Sequence, residues 1–209
     1  MQAMSEQKSN ITNLAWGIFK QLGFKSVTMD DISRQCGVSK KTLYELYKDK
    51  DELVLESVKY MLTSNQCEIE CLFASSKNAI EQVVGILNKM ESMIRGMNPV
   101  CYVDLQRYYQ DAYQYLQNHK EEVLYQSITQ NLNQGIQEGL YRSEIDVEIM
   151  TRFRMESAML VFQQNVFPSD KFNSIQVNYQ IFAHFMYGLA TPKGYKLIEK
   201  YLSKYFKTN

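Results

Sequence analysis

Apolar residues recur at steps of three and four along nearly the whole chain, the spacing of helices that bury one face. In the first segment Ile11, Leu14, Ala15, Ile18, Phe19 and Leu22 form one stripe. Gly23 follows as a left-handed helix stop, with Phe24 placed to fold back on the helix end. Thr28 then has the chemistry of an N-cap, and Asp30 and Asp31 occupy the first turn, where the helix dipole favours negative charge. That helix is short because Cys36-Gly37-Val38-Ser39 ends it. Gly37 supplies a tight turn, and Ser39 caps a second short helix through about Tyr47. A charged break, Lys48-Asp49-Lys50-Asp51, precedes a longer helix over 50–72 with Leu53, Val54, Val58, Met61 and Leu62 inward.

Further amphipathic runs are expected over 77–95 and from 99 onward, the latter opened by Asn98-Pro99 as cap and first helical position. The next are 119–138, closed by Gly139, and 146–166, ending before Pro168. The last two are 171–190 and 193–206, the final one opened by Thr191-Pro192. No strand-like alternation of useful length and no internal repeat interrupts the pattern. The fold expected is all-α: a three-helix helix-turn-helix domain over 1–49 and a larger helical domain over 50–209.

Composition supports a folded chain: 45% hydrophobic and 22% charged residues, with three prolines and nine glycines in 209 positions. The 23 Lys and Arg balance 23 Asp and Glu, which excludes a wholly basic coat protein and a wholly acidic tail. The balance hides segregation. Residues 1–50 carry a net +3, residues 51–192 a net −7 and residues 193–209 a net +4. Four cysteines make no disulfide framework in a chain this long. The polar N-terminus lacks a signal-peptide core, and no stretch approaches the ~18–20 apolar residues of a membrane span. A reducing, cytoplasmic location is therefore expected.

The N-terminal quarter carries the specific signal. Ile11, Ala15, Phe19, Gly23-Phe24 and Val27-Thr28-Met29-Asp30-Asp31-Ile32 lead into Gly37-Val38-Ser39-Lys40-Lys41-Thr42-Leu43-Tyr44, followed by Tyr47, Lys50 and Leu53. This ordered run over about 8–55 resembles the DNA-binding domain of the TetR (tetracycline-repressor-like) family of bacterial regulators. Ser33 and Cys36 stand where small alanines are usual, and Leu46 where an aromatic or histidine often sits. The first two preserve small volume, and Leu46 removes one polar contact to the DNA backbone. Reading a duplex needs a basic face and a short helix whose N-terminal residues reach base edges in the major groove. Ser39, Lys40, Lys41 and Thr42 lie at that helix start: two long donors and a hydroxyl-bearing side chain follow the cap. Thr28 is placed to meet a phosphate at a helix N-terminus. The resemblance adds Tyr44 and Lys50 as phosphate contacts. Tyr47 joins the candidate DNA contacts, although its ring should also help to close the small core. Ile32, Val38 and Leu43 are expected inside.

In such a family the remainder is a helical effector-binding and dimerisation domain. The resemblance implies a homodimer joined by two late helices, for which the runs at 146–166 and 171–190 are the candidates. Ile149, Phe153, Met159, Leu160 and Phe162 on the first, and Val177, Ile181, Phe182, Phe185 and Leu189 on the second, exceed what a one-sided helix needs. The same surplus suits a helix central to one monomer. Met90, Met93, Met97, Tyr102, Tyr109, Tyr113, Phe153 and Phe162 are candidate contacts for an apolar or aromatic effector, since thioethers and amphipathic rings suit such a pocket and equally an ordinary core. Tyr108 and Tyr115 belong to the same aromatic-rich stretch.

No cofactor or metal site is expected. Cys67 and Cys71 lack a metal-ligand spacing, are separated from Cys101, His119 and His184, and read as buried thiols on one helix face. No Walker loop, dinucleotide fingerprint or nucleophile elbow is present, so no enzyme is expected. In the last helix Lys193, Lys196, Lys200, Lys204 and Lys207 lie opposite Leu197, Ile198, Tyr201, Leu202 and Tyr205; a docked helix with a solvated face accounts for them better than a membrane-surface helix. The reading is a homodimeric DNA-binding regulator, a repressor released from a near-palindromic operator by a small molecule, with the helix from residue 50 as lever. The alternative is a ligand-sensing or scaffold protein of the same fold that does not bind DNA.

Overall fold

The computed structural model describes residues 2–208, apart from the side chains of Gln2, Ala3, Ser5 and residues 204–208. The side chains of Lys204, Tyr205 and Lys207 thus lie outside the described residues. The described chain is helical throughout, with one isolated antiparallel bridge between Tyr141 and Ala190. It divides into two compact units, one of residues 1–66 and 96–119, the other of residues 67–95 and 120–209. The division expected from the sequence, between 49 and 50, falls at a helix start; the packing division runs through the helix that begins there.

The first unit holds α1 (Gln2–Leu22), α2 (Met29–Gln35), α3 (Lys40–Leu46) and the greater part of α4 (Lys50–Ser75). It also contains the helices Cys101–Tyr108 and Gln110–His119. Its core joins Phe19 and Phe24, stacked at 5.1 Å, with Leu43, Tyr47, Leu53, Val54 and Val58, all fully buried. Ile11, Ala15, Ile18 and Phe19 form the buried stripe of α1, but Leu14 and Leu22 are exposed. Leu14 lies at the edge of the stripe and Leu22 at the helix end; Trp16 packs towards Phe24 instead, ring centroids 6.2 Å apart. The helix expected from 99 begins at Cys101 and breaks at Tyr109. Asn98 Oδ1 accepts from the Val100 N–H, and Val100 takes the cap position.

The second unit holds α5 (Ala79–Ile94), α8 (Tyr125–Gln137), α9 (Val147–Met159), α10 (Ser174–Leu189) and α11 (Pro192–Thr208), where α6 and α7 are the two helices of 101–119 above. A π-helical turn over Lys120–Leu124 leads into α8, and a 3-10 turn over Leu160–Phe162 ends the run through α9. The helices expected over 146–166 and 171–190 are therefore shorter. The first stops at Phe162, and the second starts at Ser174 under the cap of Asn173, whose Oδ1 accepts from the Ile175 and Gln176 N–H groups. Ile80, Leu87, Leu132, Tyr141, Phe182, Met186 and Ile198 form the main core.

A buried amide network runs through this core. Asn131 donates to the Ala79 carbonyl at 2.9 Å and to Gln82 Oε1 at 2.8 Å, and accepts from Tyr141 Oη at 3.2 Å. Gly135 lies directly under the Tyr141 ring, so close that a Cβ there would overlap it. The expected burial of Cys67 and Cys71 is corrected: both thiols are exposed. This stretch of α4 turns Leu72 onto Gly85 of α5, which leaves the cysteines on the outer side.

Candidate nucleic-acid interface

The motif α2-turn-α3 is fixed at each joint by short-range chemistry. Thr28 Oγ1 accepts the Asp31 N–H at 3.2 Å and donates to Asp31 Oδ2 at 2.6 Å, while the Thr28 N–H donates to the same carboxylate at 3.0 Å. This is a reciprocal capping box with aspartate in the acidic position. The hydroxyl of Thr28, the first of these causes, holds the Asp31 carboxyl below the usual carboxylate range. Gly37 adopts φ +66°, the left-handed conformation that closes a turn with no Cβ in the way. Ser39 Oγ then accepts the Thr42 N–H at 3.0 Å and caps α3.

With that cap set, helical geometry sorts the α3 side chains. Leu43 faces the core and is fully buried, with Val38 partly buried beside it. Lys40, Lys41 and Tyr44 face outward. Lys40 Nζ reaches Asp30 Oδ2 at 2.6 Å, and Lys41 Nζ lies 3.8 Å from Glu45 Oε1. Such exposed pairs contribute little to stability and exchange readily for other anions. Thr42 Oγ1 hydrogen-bonds Ser39 Oγ at 2.8 Å.

The two tyrosines separate clearly. Tyr44 is 52% exposed, a large ring turned outward, whereas Tyr47 is 0% exposed. Tyr47 Oη donates to the Lys8 carbonyl at 2.8 Å and shares a 2.7 Å hydrogen bond with Thr12 Oγ1. Burial pushes its hydroxyl pKa up. Of its two expected roles, closing the core is the one its position fits; no surface of it is left for a duplex.

Lys50, at the first position of α4, turns back on the unit. Its Nζ donates to the Lys25 carbonyl at 3.3 Å and lies 5.5 Å from the Tyr109 ring centroid. Burial lowers its pKa, partly offset by Asp104, Asp51 and Asp31. Lys25 and Asp104, neither singled out by sequence pattern, complete this corner. The Lys25 N–H donates to Asp104 Oδ2 at 2.9 Å and its Nζ to Tyr108 Oη at 2.8 Å. Residues 79 and 83 positions apart make these contacts, so local spacing carried no sign of them.

The eight side chains expected to line an effector site are distributed between the two units. Met97, Tyr102, Tyr109 and Tyr113 belong to the first. There Tyr109 is buried, donates to the Phe24 carbonyl at 3.2 Å and has its pKa pushed up to about 12 by burial. Tyr102 and Tyr113 meet edge-to-face at 6.0 Å. Met90, Met93, Phe153 and Phe162 belong to the second. Phe153 is 50% exposed and stacks on Phe185 at 6.1 Å, while Phe162 packs with Ile94, Val161 and Val177. Among the described residues no three His, Cys, Asp or Glu side chains cluster as metal ligands. No helix among them is long and apolar enough to cross a membrane.

A capped, outward-facing helix with two lysines and a tyrosine, held by a second helix across a glycine turn, defines a DNA-binding helix-turn-helix regulator. The model of the bacterial regulatory proteins of the tetR family matches residues 11–57. The HTH-type transcriptional repressor KstR2 of Mycobacterium tuberculosis is 26% identical over 156 residues, covering 72% of this chain and 76% of that one. The structure of the ketosteroid transcriptional regulator KstR2 of the same organism superposes with a TM-score of 0.60 at 22% identity, covering 88% of this chain and 95% of the other. The regulator FadR of Bacillus subtilis, in complex with stearoyl-CoA, gives a TM-score of 0.65 at 16% identity, covering 84% and 96%. Over residues 11–57 the chain thus matches the DNA-binding domain of the tetR family of bacterial regulatory proteins, and its similarity to transcriptional regulators extends over most of its length.

Proposed function

We propose that the protein is a homodimeric repressor that reads one operator half-site with each α3 and leaves the operator when a small molecule binds the second unit. The observation that carries the DNA-reading part is the outward face of α3, where Lys40, Lys41 and Tyr44 stand exposed beside a fully buried Leu43. In this reading Lys40, Lys41 and Thr42 address base edges, and Ser39, Thr28, Tyr44 and Lys50 address phosphates. Thr28 and Lys50 are engaged within the unit, so their phosphate contacts require exchange of the Asp31 and Lys25 hydrogen bonds. Tyr47 supports the reading helix from below.

The dimer is assigned to α9 and α10. Ile149 is 59% exposed and Phe153 50% exposed, one helical turn apart on α9. On α10 the stripe Gln176, Gln180, His184 and Tyr187 is exposed opposite the buried Val177, Phe182, Phe185 and Met186. An apolar pair on α9, with the uncharged polar stripe of α10 and the charged Glu148 and Arg152 at its rim, suits a homodimer contact. The effector is assigned an apolar or aromatic body, a reading supported by a ketosteroid regulator and a stearoyl-CoA complex among the relatives. For release to follow, it must bind the DNA-incompetent state more tightly than the DNA-bound one. The protein acts in the cytoplasm, where its operator is, and catalyses no reaction.

The test is binding to DNA taken from beside its own gene, followed by fluorescence anisotropy. Lys40→Ala with Lys41→Ala lowers affinity for that DNA by about 30-fold or more, two base contacts at ~1–3 kcal/mol each, and leaves the dimer intact by sedimentation. Unchanged affinity overturns the assignment of α3. Lys50→Ala lowers affinity for all sequences alike and reduces the salt slope by about one. The sensing part requires that the low-molecular-mass fraction of a cell extract dissociate the complex; no release by any fraction overturns it.

A further inference from the structure

One buried side-chain nitrogen among the described residues has no hydrogen-bond partner: Nη1 of Arg154. Arg154 is 6% exposed and lies on α9 between Thr151 and Met155, both fully buried. Its neighbour Arg152 shows the ordinary alternative, exposed and bonded to Glu121 at 2.5 Å. The acid one half-turn away, Glu156, is taken by Lys120 at 2.5 Å. The guanidinium carbon of Arg154 instead lies 5.5 Å from the Phe185 ring centroid and 5.8 Å from that of Phe182. Two aromatic rings attract a cation through their faces. They accept no N–H···O hydrogen bond of the strength a carboxylate offers, so Nη1 keeps its donor unused. Burial, with no compensating acid, lowers the guanidinium pKa to about 10.

An arginine is rarely buried without a counter-charge, because desolvation strongly disfavours the ion. Here the charge is buried without a counter-charge and with Nη1 unmet, in the unit assigned to effector binding and against two aromatic walls. We propose that Arg154 is the anchor for an anionic group, a carboxylate or a phosphate, carried by the effector, with Phe182 and Phe185 against its apolar body. The proposal rests on the sensing reading above and names the chemistry of its ligand. An arriving anion gives Nη1 its missing acceptor in a low-dielectric surrounding, where a charge-assisted pair is strong. A neutral molecule of the same shape leaves the donor unmet. Binding is thereby selective for acids over the corresponding alcohols.

The test uses the full-length protein and three probes of one chain length: decanoate, decyl phosphate and 1-decanol. Calorimetric titration of the wild type gives tighter binding of at least one anion than of decanol, and the better of the two anions identifies the head group. Arg154→Met weakens binding of that anion by about 30-fold or more, the effect of removing one side of a buried charge pair. It leaves decanol binding within about threefold, and the ligand-free variant melts at the same temperature as the wild type or higher. Arg154→Lys, which keeps the charge without the fork, retains the preference for the anion at lower affinity. Equal binding of decanol and both anions overturns the anchor. So does an Arg154→Met variant that binds the anion as the wild type does or melts well below it, and so does no binding of any probe. Release of the operator by the extract fraction is read separately, so the sensing reading stands or falls on its own result.

Discussion

Among the described residues of the first unit the four buried polar side chains, Thr12, Ser33, Ser57 and Asp104, all have hydrogen-bond partners. In the second, the buried polar set includes the Asn131–Gln82–Tyr141 network and also Arg154, whose Nη1 has no hydrogen-bond partner. A buried group without a partner destabilises the unit that holds it. Among the described residues such a group occurs in the second unit alone, the unit to which the proposal above assigns the effector. Packing differs in the same sense: the first unit gathers its apolar side chains into one cluster, while the second has a main cluster and a separate small one around Ile94, Val161 and Val177.

One substitution made in both units gives effects of opposite sign. Gly135 sits on α8 beneath Tyr141, which is 1% exposed and cannot withdraw. Gly135→Ala drives a methyl into that ring and destabilises by about 3 kcal/mol, an overpacking effect. Gly17 lies mid-helix in α1 with nothing within 4 Å of the place a Cβ would take. Gly17→Ala stabilises by about 0.5–1 kcal/mol through the reduced freedom of the unfolded chain. Urea unfolding followed by circular dichroism measures both. A Gly135→Ala variant as stable as the wild type breaks the claim that the second unit is tightly packed around its amide network.

Tyr47 sharpens the boundary between holding shape and touching DNA. Tyr47→Phe keeps the ring in the core and removes the hydroxyl that bonds Lys8 and Thr12. A loss of about 1 kcal/mol is expected, the net contribution of a buried hydrogen bond, since the Lys8 carbonyl still accepts from the Thr12 hydroxyl. Because burial raises its folded-state pKa, the wild-type contribution is complete below about pH 10, the unfolded value, and fades as pH rises through the folded one. The variant therefore loses less stability than the wild type on going to strongly alkaline solution. Operator affinity of the folded variant is unchanged, while Tyr44→Ala weakens it. A Tyr47→Phe protein that is fully folded yet binds operator poorly returns Tyr47 to the contacts.

How far the sequence could be read follows from the reach of each interaction. The caps of α2 and α3 join residues three apart, Thr28 to Asp31 and Ser39 to Thr42, so the ordered spacing displayed them and the reading helix with them. The asparagine network joins residues 49 and 52 apart, and the Lys25–Asp104 contact spans 79. Nothing in a local pattern marks such pairs. Arg154 was hidden differently. Ile149 and Phe153 are read from the sequence as surface shared between the domain and a partner, but the side of α9 buried in the domain is Thr151, Arg154, Met155 and Ser157. Three polar residues and Met155 lie inside and an apolar pair outside, close to the reverse of an ordinary amphipathic helix. The same inversion misplaced Cys67 and Cys71, whose exposure depends on Leu72 turning to Gly85. The division of the effector candidates between two units had no sequence signal at all.

The smallest effect tests the first unit where structure and DNA contact compete for one hydroxyl. Thr28 Oγ1 both accepts from Asp31 N and donates to Asp31 Oδ2. Thr28→Ala loses the cap, and about 1 kcal/mol of stability with it. Thr28→Ser keeps the cap and removes only the methyl, so stability stays within about 0.5 kcal/mol of the wild type. If Thr28 also meets a phosphate, the alanine variant binds the operator more weakly than its lost stability explains, and the serine variant binds as the wild type does. The Asp31 carboxylate opposes that contact, since it occupies the hydroxyl and places negative charge beside the incoming phosphate. Asp31→Asn made in the Thr28→Ala background as well as in the wild type separates the two roles: the gain in phosphate affinity is larger with Thr28 present if its hydroxyl is a contact, and equal in both backgrounds if Thr28 is a cap alone. Anisotropy titrations of these variants at one salt concentration, set beside their stabilities from urea unfolding, decide it: a loss of affinity in Thr28→Ala beyond its loss of folded protein marks the contact, and a matching loss marks the cap alone.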